Sequence, residues 1–237
     1  MLVTLLNSTP DPEKTVALAA KLCYSDSTIL ELDERVRASS YEKFLSKILK
    51  MGHLSVLEHN SFTFGIEGIS RATSHQLVRH RLASYSQQSQ RYVTVTKPDY
   101  VVPPSIAKDT AKLKRFIKAT DAAYKLYDEL VKGGIPAEDA RFLLPNAATT
   151  RIIMTMNARE LLHFFKLRCC ERAQWEIRDM ATRMLSLAKE KAPFIFRDAG
   201  PSCVAGKCSE GEMTCGNAKE IREKFRSLTG STGATSK

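Results

Sequence analysis

Apolar residues recur along this chain in two periods, one helical and one of strands. From Glu13 to Leu22 the spacing predicts a helix, with Asp11 as its N-cap and Pro12 at the first helical position. Tyr41 to Lys50 predicts a second: Phe44, Ile48 and Met51 share a face, and Gly52 stands where a C-cap glycine belongs. After a polar connection from His53 to His59, Phe62, Phe64 and Ile66 alternate with Thr63, Gly65 and Glu67, the period of a strand. Ser70 can cap a helix running to about Val78. Tyr92 to Thr96, with Val93 and Val95, predicts a second strand. A long helix is expected from Asp109 to Val131, with Leu113, Phe116, Tyr124 and Tyr127 among its apolar residues and a lysine-rich solvated side. Pro136 to Leu144 reads as a short helix, and the β-branched run Thr149–Met156 as a third strand. Asn157 can cap the next helix, with Glu160 three residues on in a capping-box pattern. Ala173 to Lys191 is the last strong helix, its stripe being Ile177, Met180, Met184 and Leu187.

Helices and strands mix here without clean βαβ alternation, which favours an α+β fold with an antiparallel-rich sheet. From about Asp198 few apolar residues remain. Residues 1–197 are therefore expected to form one domain, and 198–237 a polar, Cys-containing tail. Within the tail, Lys219–Leu228 could form a short helix, and Gly230–Lys237 is expected to be disordered. No apolar run has the length to cross a bilayer, and Met1–Asn7 is too short, and lacks the basic start, for a signal peptide. The expectation is a cytoplasmic protein without a membrane partner.

Charge narrows the choice of ligand. A net charge of +10 and a pI near 9.4 suit a nucleic-acid binder or an enzyme whose ligands are all anions. The stacking aromatics expected of the former are not interleaved with the basic residues. Cys23, Cys169, Cys170, Cys203, Cys208 and Cys215 do not form a secreted disulfide framework, so a reducing compartment is expected. Cys203, Cys208 and Cys215 are one thiolate short of a closed zinc site, and no metal is expected.

The chemistry concentrates in Arg79–Arg91, where arginine, histidine, serine and glutamine stand together with no acid among them. Guanidinium forks match phosphate or carboxylate, and hydroxyls and amides add directional bonds. Placed between a predicted helix and a predicted strand, the stretch reads as an anchored loop for an anionic, phosphorylated ligand. No Walker loop, Gly-x-Gly-x-x-Gly turn, His-Glu-x-x-His helix or Gly-x-Ser-x-Gly elbow is present.

The same stretch, Arg79-His80-Arg81-x-x-Ser84-x-x-x-x-Ser89-x-Arg91, resembles the signature of the flavin-dependent thymidylate synthases at every fixed position. The likeness continues through His53–His59, Gln76, Arg141–Pro145, Asn157-Ala158-Arg159, Leu167-Arg168 and Ala173–Ile177, and covers roughly residues 1–196. It implies a homotetramer with active sites at subunit interfaces, and a twisted, largely antiparallel sheet flanked by helices. The reaction implied is methylation of dUMP to dTMP, with FAD as cofactor, 5,10-methylenetetrahydrofolate as one-carbon donor and NADPH as reductant. By this resemblance His53, Ser55, Arg79, His80, Arg81, Leu82, Asn157, Arg159 and His163 approach FAD; His163 departs from members with an amide there. Gln76, Gln87, Gln88, Ser89, Arg91, Arg141 and Arg168 would hold dUMP, with the phosphate on Ser89, Arg91 and Arg141. Arg168 would face the uracil; Arg168, Ser89 and His53 are the candidate catalytic residues. Ser89 has no adjacent base in the sequence, which favours binding over nucleophilic attack. The alternatives are a basic nucleic-acid-binding protein and another flavoprotein acting on a nucleotide.

Overall fold

The computed structural model describes residues 1–95 and 97–228. In chain order the elements are β1 (Leu2–Ser8), α1 (Pro12–Leu22), α2 (Ile29–Arg37), α3 (Glu42–Lys50), a 3-10 turn (Ser55–His59), β2 (Ser61–Ser70), α4 (Arg71–Leu77) and β3 (Ala83–Gln87). Then come α5 (Pro104–Ala107), α6 (Thr110–Lys132), α7 (Ala137–Ala140), a 3-10 turn (Arg141–Leu143), β4 (Thr149–Asn157) and α8 (Ala158–Arg168). The chain continues with α9 (Trp175–Lys191), α10 (Ser202–Ala205), a 3-10 turn (Gly211–Met213) and α11 (Ala218–Arg226). The strands form one antiparallel sheet in the order β1-β2-β4-β3, and the fold is α+β.

Two strands differ from the sequence reading. The strand expected at Tyr92–Thr96 is absent from its described part: residues 92–95 are turn and loop, and Thr96 lies outside the described residues. A strand instead occupies Ala83–Gln87, inside the stretch read as a loop. Apart from Tyr85 its side chains are small or polar, so strand propensity is weak, but they alternate between half-buried and exposed as one sheet edge requires. The other edge strand, β1, was not foreseen, and its outward Leu2 and Leu6 explain why: they leave no polar face to mark an alternation. The unforeseen α2 did carry a signal. Thr28 and Glu31 form a reciprocal capping box, with Thr28 N donating to Glu31 Oε2 at 3.0 Å.

Contacts group the described chain into two units, and each has its own interior. The first comprises Met1–Leu2, Ile66–Arg79 and Tyr85–Ile153. Its long helix α6 starts at Asp109, whose carboxylate accepts from Ala111 N and Lys112 N at 3.0 and 3.1 Å. Tyr124 and Tyr127 bury the apolar side of α6, and the Tyr124 hydroxyl donates to Asp99 O at 2.7 Å. Burial pushes the Tyr124 hydroxyl pKa up to about 12.

The second unit comprises, of the described residues, Val3–Gly65, His80–Ser84 and 154–228. Phe62, Phe165 and Phe196 meet edge to face in its core, at centroid distances of 5.4 Å for Phe62–Phe196 and 5.9 Å for Phe165–Phe196. Ile177, Met180 and Met184 of α9 are fully buried, as their spacing predicts. Beyond Asp198, Ile221 and Phe225 of α11 are buried, and Arg222 Nε donates to Cys203 O at 3.1 Å. Gly200 has a φ of +139°, and a Cβ there would stand 3.0 Å from the Phe225 ring and 3.1 Å from Val204, so the α11 contact requires glycine. Gly230–Lys237, expected to be disordered, lies outside the described residues. No helix among the described residues is long and apolar enough to cross a membrane.

Candidate active site

The residues expected to hold dUMP fall in the first unit, apart from Arg168. Ser70 caps α4 by accepting from Thr73 N at 3.1 Å, which starts the helix that carries Arg71 and Gln76. On β3, the Gln87 amide donates to Ser74 Oγ at 3.0 Å and to Thr150 Oγ1 at 3.1 Å. Gln88 N then bonds Arg151 O at 2.9 Å, so the chain leaves the strand from a fixed point. Ser89 makes the following turn: its Oγ accepts from Arg91 N at 3.2 Å and its carbonyl from Val93 N at 3.0 Å. A cavity of about 580 Å³ opens beside Gln88 and Ser89, with Arg151, Thr149 and Lys97 also on its wall. That is a volume suited to a small-molecule ligand.

Guanidiniums gather next to this turn. Arg91 Nε donates to Glu138 Oε2 at 2.8 Å, and Arg141 Nε donates to Glu138 O at 3.1 Å. Arg71 joins them. Burial lowers its pKa, and the Arg141 charge lowers it further, so the two cations are close enough to repel. An anion between them would relieve that repulsion. Arg71 was not among the residues singled out from sequence; it stands outside the signature, and its one local mark is its place right after the Ser70 cap.

The residues expected near the flavin fall in the second unit, apart from Arg79. His53, Ser55, Arg79, Arg81, Leu82 and His163 are exposed. Arg159 is exposed and paired with Glu58. Asn157 caps α8, its Oδ1 accepting from Glu160 N at 2.8 Å. The return bond of the capping box is not formed, because Glu160 turns its carboxylate to His80 instead.

His80 differs from its neighbours in the signature: it is only 5% exposed. Its Nδ1 lies 3.3 Å from Glu160 Oε1, and its Nε2 accepts from Arg168 Nε at 3.0 Å. An imidazole that accepts at Nε2 and faces a carboxylate at Nδ1 is neutral, with its proton on Nδ1. Burial lowers the His80 pKa most, the Arg168 charge adds to this, and Glu160 partly opposes it.

His80, Glu160 and His163 form the one group of His, Cys or acidic donors among the described residues whose ligand atoms lie within 4.8 Å. The guanidinium of Arg168 already supplies positive charge at His80, which fits a hydrogen-bonded chain better than a cation site. Within the second unit, exposed Arg81 and Arg159 are of the residue type that binds anionic groups, and Leu82 and His53 also face outward. Directly after Arg168, Cys169 is buried, and burial holds its thiol protonated.

Residues 4–194 match the family model Thy1, described as thymidylate synthase complementing protein. The chain is 61% identical over 231 residues to a flavin-dependent thymidylate synthase of Geobacter sulfurreducens, covering 97% of this chain and 100% of that protein. It is 48% identical over 239 residues to one of Clostridium tetani, covering 94% and 96% of the two chains. To one of Pyrococcus abyssi it is 47% identical over 236 residues, covering 95% and 97%. With residues 4–194 matching that family model and its length spanned by these relatives, the chain belongs to the Thy1 family and is an enzyme of the flavin-dependent thymidylate synthase kind.

Proposed function

We propose that this enzyme methylates dUMP to dTMP with FAD as cofactor, 5,10-methylenetetrahydrofolate as one-carbon donor and NADPH as reductant. The observation that carries this reading is that Arg91 and Arg141 both bond Glu138 while Arg91 N bonds Ser89 Oγ, and Ser89 lines the cavity. A nucleoside monophosphate brings the dianion that this cluster lacks, and the cavity has room for the nucleoside. Ser89 binds rather than attacks: its Oγ accepts an amide proton, and among the described residues no base takes a proton from it. Gln87 and Gln88 set the position of the turn, Gln76 adds an amide on α4, and Arg168 stabilises charge that develops on the pyrimidine ring. A bound flavin supplies the hydride chemistry, and His53, Ser55, Arg79, Arg81, Leu82, Asn157, Arg159 and His163 orient it and exclude water.

A homotetramer with shared sites follows from the same reading. Leu82, Tyr92 and Phe142 are 72%, 81% and 85% exposed, and each directly follows a site arginine: Arg81, Arg91 and Arg141. Large apolar side chains left outward beside a polar site support their burial by another subunit.

The test is conversion of dUMP with methylenetetrahydrofolate and NADPH, with and without FAD. The reading requires dTMP that forms only when flavin is present, from a yellow protein. Protein that binds no flavin, or dTMP formed without it, rejects the reading.

A further inference from the structure

We propose that Glu160 is a positioning residue for dUMP methylation, acting through His80 on the guanidinium of Arg168. The inference rests on the reading of Arg168 as the group that faces the pyrimidine. Glu160, Phe164 and Arg168 are spaced by four along α8 and so share one face of the helix. His80 lies across that face. Its ring meets Phe164 edge to face at 4.9 Å, with Glu160 at one nitrogen and Arg168 at the other.

Each link constrains the next. Glu160 is the third residue of α8, where the helix N-terminus favours a carboxylate, and it is only 8% exposed. Facing Nδ1, that carboxylate holds the His80 proton there. Nε2 is then an acceptor, and Arg168 Nε donates to it, which fixes the plane of the guanidinium. With the other tautomer an N–H would oppose an N–H, and a protonated imidazole would set two cations 3.0 Å apart. Glu160, His163, Phe164 and Arg168 are among the groups that face His80. A buried carboxylate diverted from its own helix cap to an imidazole 80 residues away has a task beyond starting α8.

The experiment compares Glu160→Ala, Glu160→Gln and wild-type holoenzyme. Glu160→Ala lowers kcat by ~10-fold or more, because a misaligned guanidinium loses transition-state stabilisation, while the KM for dUMP moves less than ~3-fold. Glu160→Gln recovers most of kcat, since its amide oxygen can accept from Nδ1–H; with the charge gone, the acid limb of kcat moves to lower pH. Nitrogen-15 spectra of histidine-labelled protein, assigned with His80→Gln, show Nε2 unprotonated in wild type and a mixture of tautomers in Glu160→Ala. Unchanged kcat in folded Glu160→Ala, equal losses in both Glu160 variants, or a mixed tautomer in wild type overturns the inference. So does a stoichiometric metal bound by wild type and lost in Glu160→Ala. Wild-type enzyme that forms no dTMP would sink the functional reading instead, and the imidazole spectra would still decide what Glu160 does.

Discussion

At the residue scale, the site is held by pairings between distant parts of the chain. Arg91 meets Glu138 across 47 positions, and His80 meets Glu160 across 80. The signature itself was legible, because its arginines and serines recur at short fixed spacing. Arg71, Glu138 and Glu160 were not, since only tertiary contact gives them a role. Arg71 is the clearest case. Each charge-assisted bond to a phosphate contributes about 1.5–3 kcal/mol, so Arg71→Ala is expected to raise the KM for dUMP by about one to two orders of magnitude. Steady-state kinetics check this, and an unchanged KM removes Arg71 from the phosphate site. His80 makes a second prediction. Its folded pKa lies below the ordinary 6.5 because it is buried beside Arg168. As pH falls below about 6.5, the unfolded chain takes up a proton that the folded chain resists, and stability declines by up to about 1.4 kcal/mol per pH unit. Denaturant titrations from pH 7 to 5 should show that decline, and His80→Gln should flatten it.

At the scale of elements, helices were read more easily than edge strands. α8 and α9 each bury a continuous stripe, α6 buries Thr120, Tyr124 and Tyr127, and all three start at a polar cap. The strands β1 and β3 lie at the two edges of the sheet, where pairing with one neighbour replaces propensity. That matters for function: the half of the signature after Leu82 begins on a strand, so Gln87 and Gln88 leave a sheet and not a free loop. The last helix, α11, packs where the sequence reading expected a polar tail. Phe225 packs on the unsubstituted face of Gly200, and its carbonyl accepts from Lys189. Phe225→Ala should cost about 3–5 kcal/mol if the core opens as a unit. If α11 undocks alone, the loss appears instead as fast amide exchange confined to residues 198–228. Exchange mapped by mass spectrometry separates the two, and wild-type protection throughout would mean that Phe225 contributes little.

At the scale of the whole molecule, the outward apolar residues and the site arginines are neighbours in sequence, and on the proposed shared-site reading this ties assembly to catalysis. Phe142 follows Arg141 in one 3-10 turn, so whatever covers the ring also limits where the guanidinium can go. A solvated charge at that position would be tolerated by the folded chain, since the native side chain already faces water, but not by an interface that buries it. Phe142→Asp is therefore expected to keep the helical content and melting behaviour of the separate subunit. It should reduce the particle mass seen by light scattering and abolish dTMP formation together. Raising the protein concentration should restore both in parallel, because a weakened interface refills by mass action. Retained mass with lost activity would assign Phe142 to the ligand rather than to a neighbouring subunit. Retention of both would leave the ring without a part in either, and the shared-site reading would lose its support at Arg141.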